Sequence, residues 1–238
     1  GASGILHSIQ VFNKYPRITY LGLYKNEEEK QNIKIVKKNG IKIAFVSFNQ
    51  YVNGVTYQEK LPYMINFHES TMMENMKKAR ENADIVIVSC HWGIEYDYYP
   101  NIFQKNMAKQ LADAGADVII GTHTHTLQDV EYIQRADGKR TLVAYSLGNF
   151  VSGMLEESCQ LEGMLSFDIE KKKIKNVVFT PLVNYYTLTG KRERHDFSVY
   201  RLKDYTNKLV EKHGFPNLTI SHMKEEVKQK VKNIKIDM

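Results

Sequence analysis

The sequence has few cysteines and no long apolar run. Two cysteines, Cys90 and Cys159, cannot define a disulfide framework, and they leave the cellular compartment open. No apolar run approaches the ~20 residues that a membrane-spanning helix requires. The first residues also lack the basic and then apolar layout of a signal peptide. We therefore expect neither a disulfide-stapled scaffold nor a membrane span within these residues.

Several motifs of common enzymes and binding proteins are missing as well. The sequence contains no Gly-x-Ser-x-Gly, no Walker loop and no Cys-x-x-Cys. Basic residues are not interleaved with aromatic residues on a strand, so we expect no nucleic-acid module. The net charge of +6 arises mostly from lysines in the C-terminal part. Solvated helix and hairpin faces explain this excess, and binding to an anionic polymer, a membrane surface or nucleic acid is the alternative.

The composition is that of a folded globular protein, with 42% apolar and 25% charged residues in 238. Short apolar runs rich in β-branched residues predict four buried strands, at 41–48, 85–90, 118–121 and 141–146. Apolar residues at helical spacing predict helices over 69–83 and 101–114, the second with Pro100 as its first residue and Gly115 as its stop. Strands that alternate with helices predict an α/β fold.

The pattern changes after Asn149. Residues 162–169 and 174–183 predict two antiparallel strands around a lysine-rich turn, and 201–213 and 222–234 predict exposed helices. The first dozen residues also have helical spacing. We therefore predict a domain over 1–190, followed by a helical C-terminal extension over 191–238.

Three histidines follow predicted strands. His91 ends the run at 85–90, and His123 and His125 follow the run at 118–121. In an extended backbone, residues two apart point to the same side, about 7 Å apart. The carboxyl ends of neighbouring strands meet in one crevice, so His91 is expected to join the pair. Imidazoles placed in this way suit a Zn, Mn or Fe ion, although each histidine could also be an ordinary hydrogen-bonded residue.

Residues near these histidines complete the candidate site. Glu95 is a candidate catalytic residue together with His91, because a carboxylate can orient an imidazole or accept a proton; a solvated loop acid is the alternative. Trp92, Tyr96 and Asn149 are candidate substrate-binding residues. For Trp92 and Tyr96 the alternative is packing, and for Asn149 it is the stabilisation of a turn.

Two segments carry a resemblance to a known family. HWGIEYDYYPNIFQKNMAKQLADAGADVIIGTHTHTLQDVE and, further along, LVAYSLGNFV closely resemble the CapA-type capsule biosynthesis proteins, which are associated with poly-γ-glutamate synthesis. The resemblance covers residues 1–190. It implies the calcineurin-like metallophosphatase fold, with two packed β-sheets flanked by helices and a two-metal site at the strand ends. It also implies that His91 is the isolated histidine ligand and that His123 and His125 are the paired ligands.

The resemblance also implies what this sequence lacks. The family opens with a strand that ends in Gly-Asp and has an Asn-Asn-His block before a Gly-x-x-Gly-[Leu/Ile] helix. Gly1, Gly4 and Ile5 resemble that helix, so we expect an N-terminally truncated domain without the carboxylate ligand, the Asn-His ligands and the membrane anchor. Three imidazoles alone can hold one metal ion with an open position. We therefore expect one weakly bound divalent metal at most, and little phosphoesterase activity.

Two functions follow from these expectations. The first is a metal-dependent hydrolase that acts on a phosphoester or a cell-surface polymer bond. The second is a non-catalytic assembly or anchoring component of capsule synthesis with a vestigial metal site. An anionic cell-surface polymer or other capsule synthesis proteins are the expected partners, at the extracellular face of the cell membrane. A missing strand would expose a sheet edge, so we also expect self-association or a covering contact from another chain.

Overall fold

The described parts of the chain contain both helices and strands. The computed structural model describes residues 2–51, 69–190, 192–215 and 217–238. The helices are α1 (Ala2–Asn13), α2 (Glu27–Gln31), α3 (Glu69–Asn82), α4 (Ile102–Asp113), α5 (Asn207–Lys212) and α6 (Ile220–Lys230). The strands are β1 (Lys34–Lys38), β2 (Ile41–Asn49), β3 (Ile85–His91), β4 (Val118–Thr122), β5 (Val130–Gln134), β6 (Arg140–Ala144), β7 (Leu161–Glu170), β8 (Lys173–Thr189), β9 (Glu193–Arg201) and β10 (Lys235–Ile236).

These strands form two sheets. The strand order in the first sheet is β1-β2-β3-β4-β6-β5. In the second sheet the order is β10-β8-β7, and β9 also pairs with β8. The predicted α/β class, with two sheets and flanking helices, is confirmed. None of the helices in the described parts of the chain combines the length and the apolar character that a membrane span needs.

The chain divides into two compact units, of which the first comprises Gly1–Trp92, Met107–Ile119 and Gln134–Thr141. In this unit β1 and β2 form an antiparallel hairpin whose turn contains Asn39 and Gly40, both with positive φ. Asn-Gly is the pair that a tight hairpin turn favours, since both central residues need positive φ. Strand β3 then runs parallel to β2 and ends level with it, where His91 pairs with Asn49.

The second unit comprises Gly93–Asn106, Ile120–Ile133 and Leu142–Met238. Strand β8 is 17 residues long and pairs antiparallel with both β7 and β9. Side chains from β5, β7, β8 and α6 meet in one apolar core, which includes Val130, Phe179, Val183, Met223 and Val227. Burial of this apolar surface stabilises the unit by about 25 cal/mol per Å² removed from water.

The structure confirms most predicted elements and corrects others. The antiparallel pair after Asn149 is present as β7 and β8. Helix α4 begins at Ile102 rather than Pro100, because Asn101 and Gln104 exchange hydrogen bonds of 3.0 Å between side chain and backbone and cap the helix there.

The prediction that residues 191–238 form a helical extension is wrong in part. The stretch 191–238 is not simply helical, because it contains β9, which extends the second sheet beside β8, as well as the short β10. The predicted helix over 201–213 is broken into a 3₁₀ turn at Leu202–Asp204 and helix α5, which begins after its N-cap Thr206. The second unit runs through residue 190 without interruption.

Candidate functional site at the paired histidines

Five of the seven predicted site residues belong to the second unit. They are Glu95, Tyr96, His123, His125 and Asn149. His91 and Trp92 belong to the first unit, at the end of β3.

The paired histidines lie in a turn rather than in a strand. Strand β4 ends at Thr122, and the backbone φ angles of His123 and His125 are 102° and 64°. The prediction of an extended backbone is therefore wrong here. Residues other than glycine seldom adopt positive φ, and each such residue costs on the order of 1–3 kcal/mol. Strain of this kind persists where surrounding contacts enforce it, and it concentrates at functional sites.

Side chains in this turn still alternate between buried and partly exposed positions, in spite of the positive φ angles. Thr124 and Thr126 are fully buried, whereas His123 and His125 are partly exposed. The two imidazole rings lie with their centroids 6.2 Å apart. The two rings therefore lie side by side on the accessible side of the turn, as the His-x-His spacing predicted.

Partly buried hydrogen bonds join this turn to the loop that carries Glu95 and Tyr96. The hydroxyl of Thr126 donates to the carbonyl of Asp97 at 2.6 Å, and the amide of Gln128 donates to the same carbonyl at 3.0 Å. In the other direction, the backbone N–H of Tyr96 donates to the carbonyl of Thr124 at 2.8 Å. The loop and the histidine turn are therefore held to each other at several points.

Gly93 makes this close approach possible. Its φ is +94°, and a Cβ at this position would lie 2.8 Å from both Gln104 Cδ and Thr124 Cγ2. The side chain of Gln104 needs this space, because its amide donates to Gln128 Oε1 at 2.8 Å. Only glycine satisfies both the conformation and the contact distance.

Asn149 fixes the tautomer of His125. The Asn149 amide nitrogen donates to the His125 carbonyl at 3.4 Å and lies 3.6 Å from Met154 Sδ, so its Oδ1 faces the imidazole. This Oδ1 lies 2.9 Å from His125 Nδ1 and accepts its N–H. In the neutral imidazole, Nε2 then carries the lone pair. The structure shows Asn149 in contact with the His125 ring, and its predicted contact with a substrate stays a prediction.

Glu95 faces the other nitrogen of the same ring. Its Oε1 lies 3.6 Å from His125 Nε2, and the side chains of His125 and Glu95 are 28% and 53% exposed. Two groups that both offer electron pairs attract each other only if a proton sits on Nε2 or a cation lies between them. The arrangement is therefore that of a proton- or cation-binding pair open to solvent.

The other predicted residues have different surroundings. Tyr96 is exposed, and its ring centroid lies 6.0 Å from that of His125, in reach of whatever the pair binds. Trp92 is fully buried, so packing is the role that the structure favours over contact with a substrate. His91 is half-buried at the end of β3, and its carbonyl accepts the N–H of Gln50 at 2.7 Å.

The donors that are described fit part of a metal site. Two ligand atoms on one tetrahedral zinc ion, each about 2.1 Å from it, lie about 3.4 Å apart. The distance of 3.6 Å between Glu95 Oε1 and His125 Nε2 matches this spacing. A metal-ligating imidazole almost always donates its other N–H to an acceptor, and the contact between His125 Nδ1 and Asn149 Oδ1 is a hydrogen bond of that kind. Within the described residues, no group of three or more His, Cys, Asp or Glu side chains is placed to hold a metal ion.

A buried carboxyl that the sequence did not single out lies next to this site. Glu162, on β7, is fully buried, and neither of its carboxyl oxygens has a hydrogen-bond partner among the residues that the structure describes. It packs beneath Gly148, where a Cβ would lie 3.3 Å from Glu162 Cγ. Loss of hydration raises the pKa of Glu162 to about 9, so the group is neutral at pH 7. Nothing in its position within the run 162–169 distinguished it from an exposed strand residue.

Solved structures resemble the chain only distantly. An NAD nucleotidase (NadN) of Haemophilus influenzae covers 86% of the chain with a TM-score of 0.36 and 13% identity, over 38% of its own length. A hypothetical protein from Thermus thermophilus covers 71% of the chain with a TM-score of 0.31 and 15% identity, over 60% of its own length. Likenesses of this size carry no argument about function.

Sequence relatives are more informative. A capsule biosynthesis protein CapA of Bacillus anthracis is 35% identical over 156 residues, which are 63% of this chain and 36% of that protein. A PGA biosynthesis protein CapA of Bacillus subtilis (strain 168) is 31% identical over 160 residues, which are 67% of this chain and 41% of that protein. The matched part of the chain thus covers only 36% and 41% of the lengths of these two relatives. Residues 1–154 match the family described as bacterial capsule synthesis protein PGA_cap, and the chain belongs to that family.

Proposed function

We propose that the chain acts in bacterial capsule synthesis and that the paired histidines form part of a divalent metal site. In this proposal the site supports hydrolysis of a phosphoester or of another bond in a cell-surface polymer. Membership of the PGA_cap family supports the process, as do the names of the two CapA relatives. A family name does not identify a reaction, so the chemical half of the proposal depends on the site.

One observation carries that half. His125 donates Nδ1–H to Asn149 and points Nε2 at the Glu95 carboxylate, 3.6 Å away. An orienting hydrogen bond on one ring nitrogen is typical of a metal-binding histidine, and here the other nitrogen faces a carboxylate that could share the ion. The strained backbone at His123 and His125 supports the same conclusion, since strain is retained where function needs a fixed geometry.

Each residue has a stated role in this proposal. His125 and Glu95 bind the ion, Asn149 orients His125, and His123 is the next ligand beside them. Mn, Zn or Fe suits these donors, and a bound ion would supply a water of lowered pKa or polarise a phosphoryl oxygen. That His91 is a further ligand stays a prediction, which rests on the family resemblance.

Tyr96 is the proposed contact for the substrate. Its exposed ring lies beside His125 and offers an apolar face together with a hydroxyl. An anionic cell-surface polymer or another capsule synthesis protein is the proposed partner. The extracellular face of the cell membrane is the proposed location.

Metal titration with matched variants tests the site. We expect calorimetry with Zn²⁺ or Mn²⁺ to detect one ion per chain, and H125A or H123A to weaken binding at least tenfold. H195A is the control, because His195 is an exposed histidine on β9 with no part in the site. A wild-type chain that binds neither ion would contradict the proposal.

Hydrolysis separates the catalytic function from the alternative. We expect bis-p-nitrophenyl phosphate to be cleaved slowly in the presence of Mn²⁺, and the rate to fall in H125A but not in H195A. Metal binding without any hydrolysis, together with normal capsule formation by an H123A/H125A strain, would favour the non-catalytic assembly role instead.

A further inference from the structure

We infer that Lys230 is a positioning residue of the histidine site. Lys230 holds the loop at 94–100 so that Glu95 faces His125. This inference rests on the proposed function for its meaning, but its structural core can be tested without any metal. Lys230 ends α6, far along the chain from the loop and outside the residues that match the family.

Lys230 is an unusual lysine because its side chain is almost completely buried. Only 2% of the side chain is exposed, and Nζ donates to the carbonyl of Tyr98 at 2.5 Å. The ammonium also lies 5.1 Å from the ring centroid of Tyr98 and 4.7 Å from that of Tyr99. One cation therefore contacts the backbone and both rings of the same short loop.

A buried ammonium is unfavourable unless other groups compensate it. Burial lowers the pKa of Lys230, whereas Glu226, one helical turn earlier, opposes that change with its Oε1 3.9 Å from Nζ. The loop carbonyl, the two aromatic faces and the negative charge of Asp129 add to this compensation. The loop and the lysine therefore stabilise each other, and loss of the charge releases the loop.

The residues after Lys230 contact the segment that follows the histidine turn. Val231 forms a bridge with Val130, and the N–H of Lys232 donates to the Val130 carbonyl at 2.9 Å. The Lys232 ammonium lies 2.8 Å from Asp129 Oδ2. Asp129 and Val130 lie four and five residues after His125, the second histidine of the turn. Residues 230–232 thus contact both the loop that carries Glu95 and the segment that follows the histidine turn.

Tyr98 is close enough to Glu95 along the loop for its contact with Lys230 to affect the position of Glu95. Tyr98 lies three residues after Glu95 and two after Tyr96. On the other side of the loop, the Asp97 carbonyl is held by Thr126 and Gln128. With Lys230 the loop is held from both sides; without Lys230 the loop keeps its contacts to the histidine turn and the hydrogen bond between the Tyr98 and Ser158 side chains.

The test compares K230M with K228M. Methionine keeps the length of the side chain and removes its charge, and Lys228 is an exposed lysine two residues earlier on the same helix. We expect K230M to raise amide hydrogen exchange at 94–99 at least tenfold and to shift the ¹⁵N resonances of the His125 ring, while β3 exchanges as in the wild type. K228M should do neither.

A folded K230M with wild-type exchange at 94–99 and unchanged His125 resonances would overturn the inference. If K230M does not fold because Glu226 is left without its partner, the double variant K230M/E226Q removes both charges, and the same two readings decide. Zn²⁺ titration then tests the consequence: binding weakened at least tenfold in K230M supports the role, and unchanged binding with a loosened loop overturns it. If the wild-type chain binds no zinc, the proposed function fails, while exchange and the His125 resonances still decide the role of Lys230.

Discussion

The buried carboxyl of Glu162 leads to the sharpest prediction about stability. Glutamine has nearly the same shape as a protonated glutamate and stays neutral at every pH. Because burial raises the pKa of Glu162 to about 9, the folded chain holds the proton at neutral pH. The unfolded chain releases it above the ordinary pKa of 4.5. The Glu162 contribution to the stability of the wild type therefore falls as the pH rises from 4.5 to 9, and E162Q lacks this pH-dependent loss.

The size of the effect follows from the two pKa values. Each unit of pKa difference that the pH has crossed is worth about 1.36 kcal/mol. At pH 7 the pH exceeds the unfolded pKa by about 2.5 units, which gives about 3.4 kcal/mol as an upper figure. We therefore expect E162Q to raise the free energy of unfolding by about 2–3 kcal/mol at pH 7 and by less than about 1 kcal/mol at pH 5. Above pH 9 the difference should level off.

Urea unfolding followed by circular dichroism, at half-unit steps from pH 5 to pH 9, measures this difference. E170Q is the matched control, since Glu170 ends the same strand in an exposed position and should give a flat, small difference. An E162Q difference that does not grow with pH, or a loss of stability at pH 7, would refute the reasoning. Such a result would mean that Glu162 is ionised and paired with a cation in the folded chain.

Three further predictions concern the site and its support. H123G should be more stable than H123A by about 1 kcal/mol, because only glycine relieves a φ of 102°; equal chemical denaturation midpoints would rule out backbone strain there. N149A should weaken Zn²⁺ binding about 10–100-fold in calorimetry, because the His125 ring loses its orienting bond; an unchanged affinity would show that the bond has no such role. G163A should lower the free energy of unfolding by about 1–3 kcal/mol, because the new Cβ would lie 2.3 Å from the Phe179 ring; an unaltered thermal midpoint would mean that the ring moves aside freely.

The sequence alone was sufficient to predict the strands that precede the three histidines. Runs of β-branched residues predicted β3 and β4, because a strand buried on both faces leaves few other choices of side chain. The His-x-His spacing also predicted that His123 and His125 lie side by side. Their positive φ was not predictable, because histidine does not mark a left-handed residue as glycine does.

Other features depend on contacts between distant parts of the chain. The pairing of His125 with Asn149 spans 24 residues, and sequence alone left Asn149 as a ligand contact or a turn residue. Lys230 looks like Lys224 and Lys228 in a helix with several lysines, and only the tertiary fold places it against two tyrosines. Strand β9 was missed because its charged residues suggest a solvated segment, whereas β8 supplies backbone partners along its length.

The route of the chain between its two compact units has a consequence for biosynthesis. The boundaries fall after residues 92, 106, 119, 133 and 141, so the polypeptide switches unit five times before its last 97 residues stay in one. Segments 93–106 and 120–133 leave the ribosome before residues 142–238, which make up most of their unit. Each unit consists of three separate segments, so neither unit can be excised as one continuous piece.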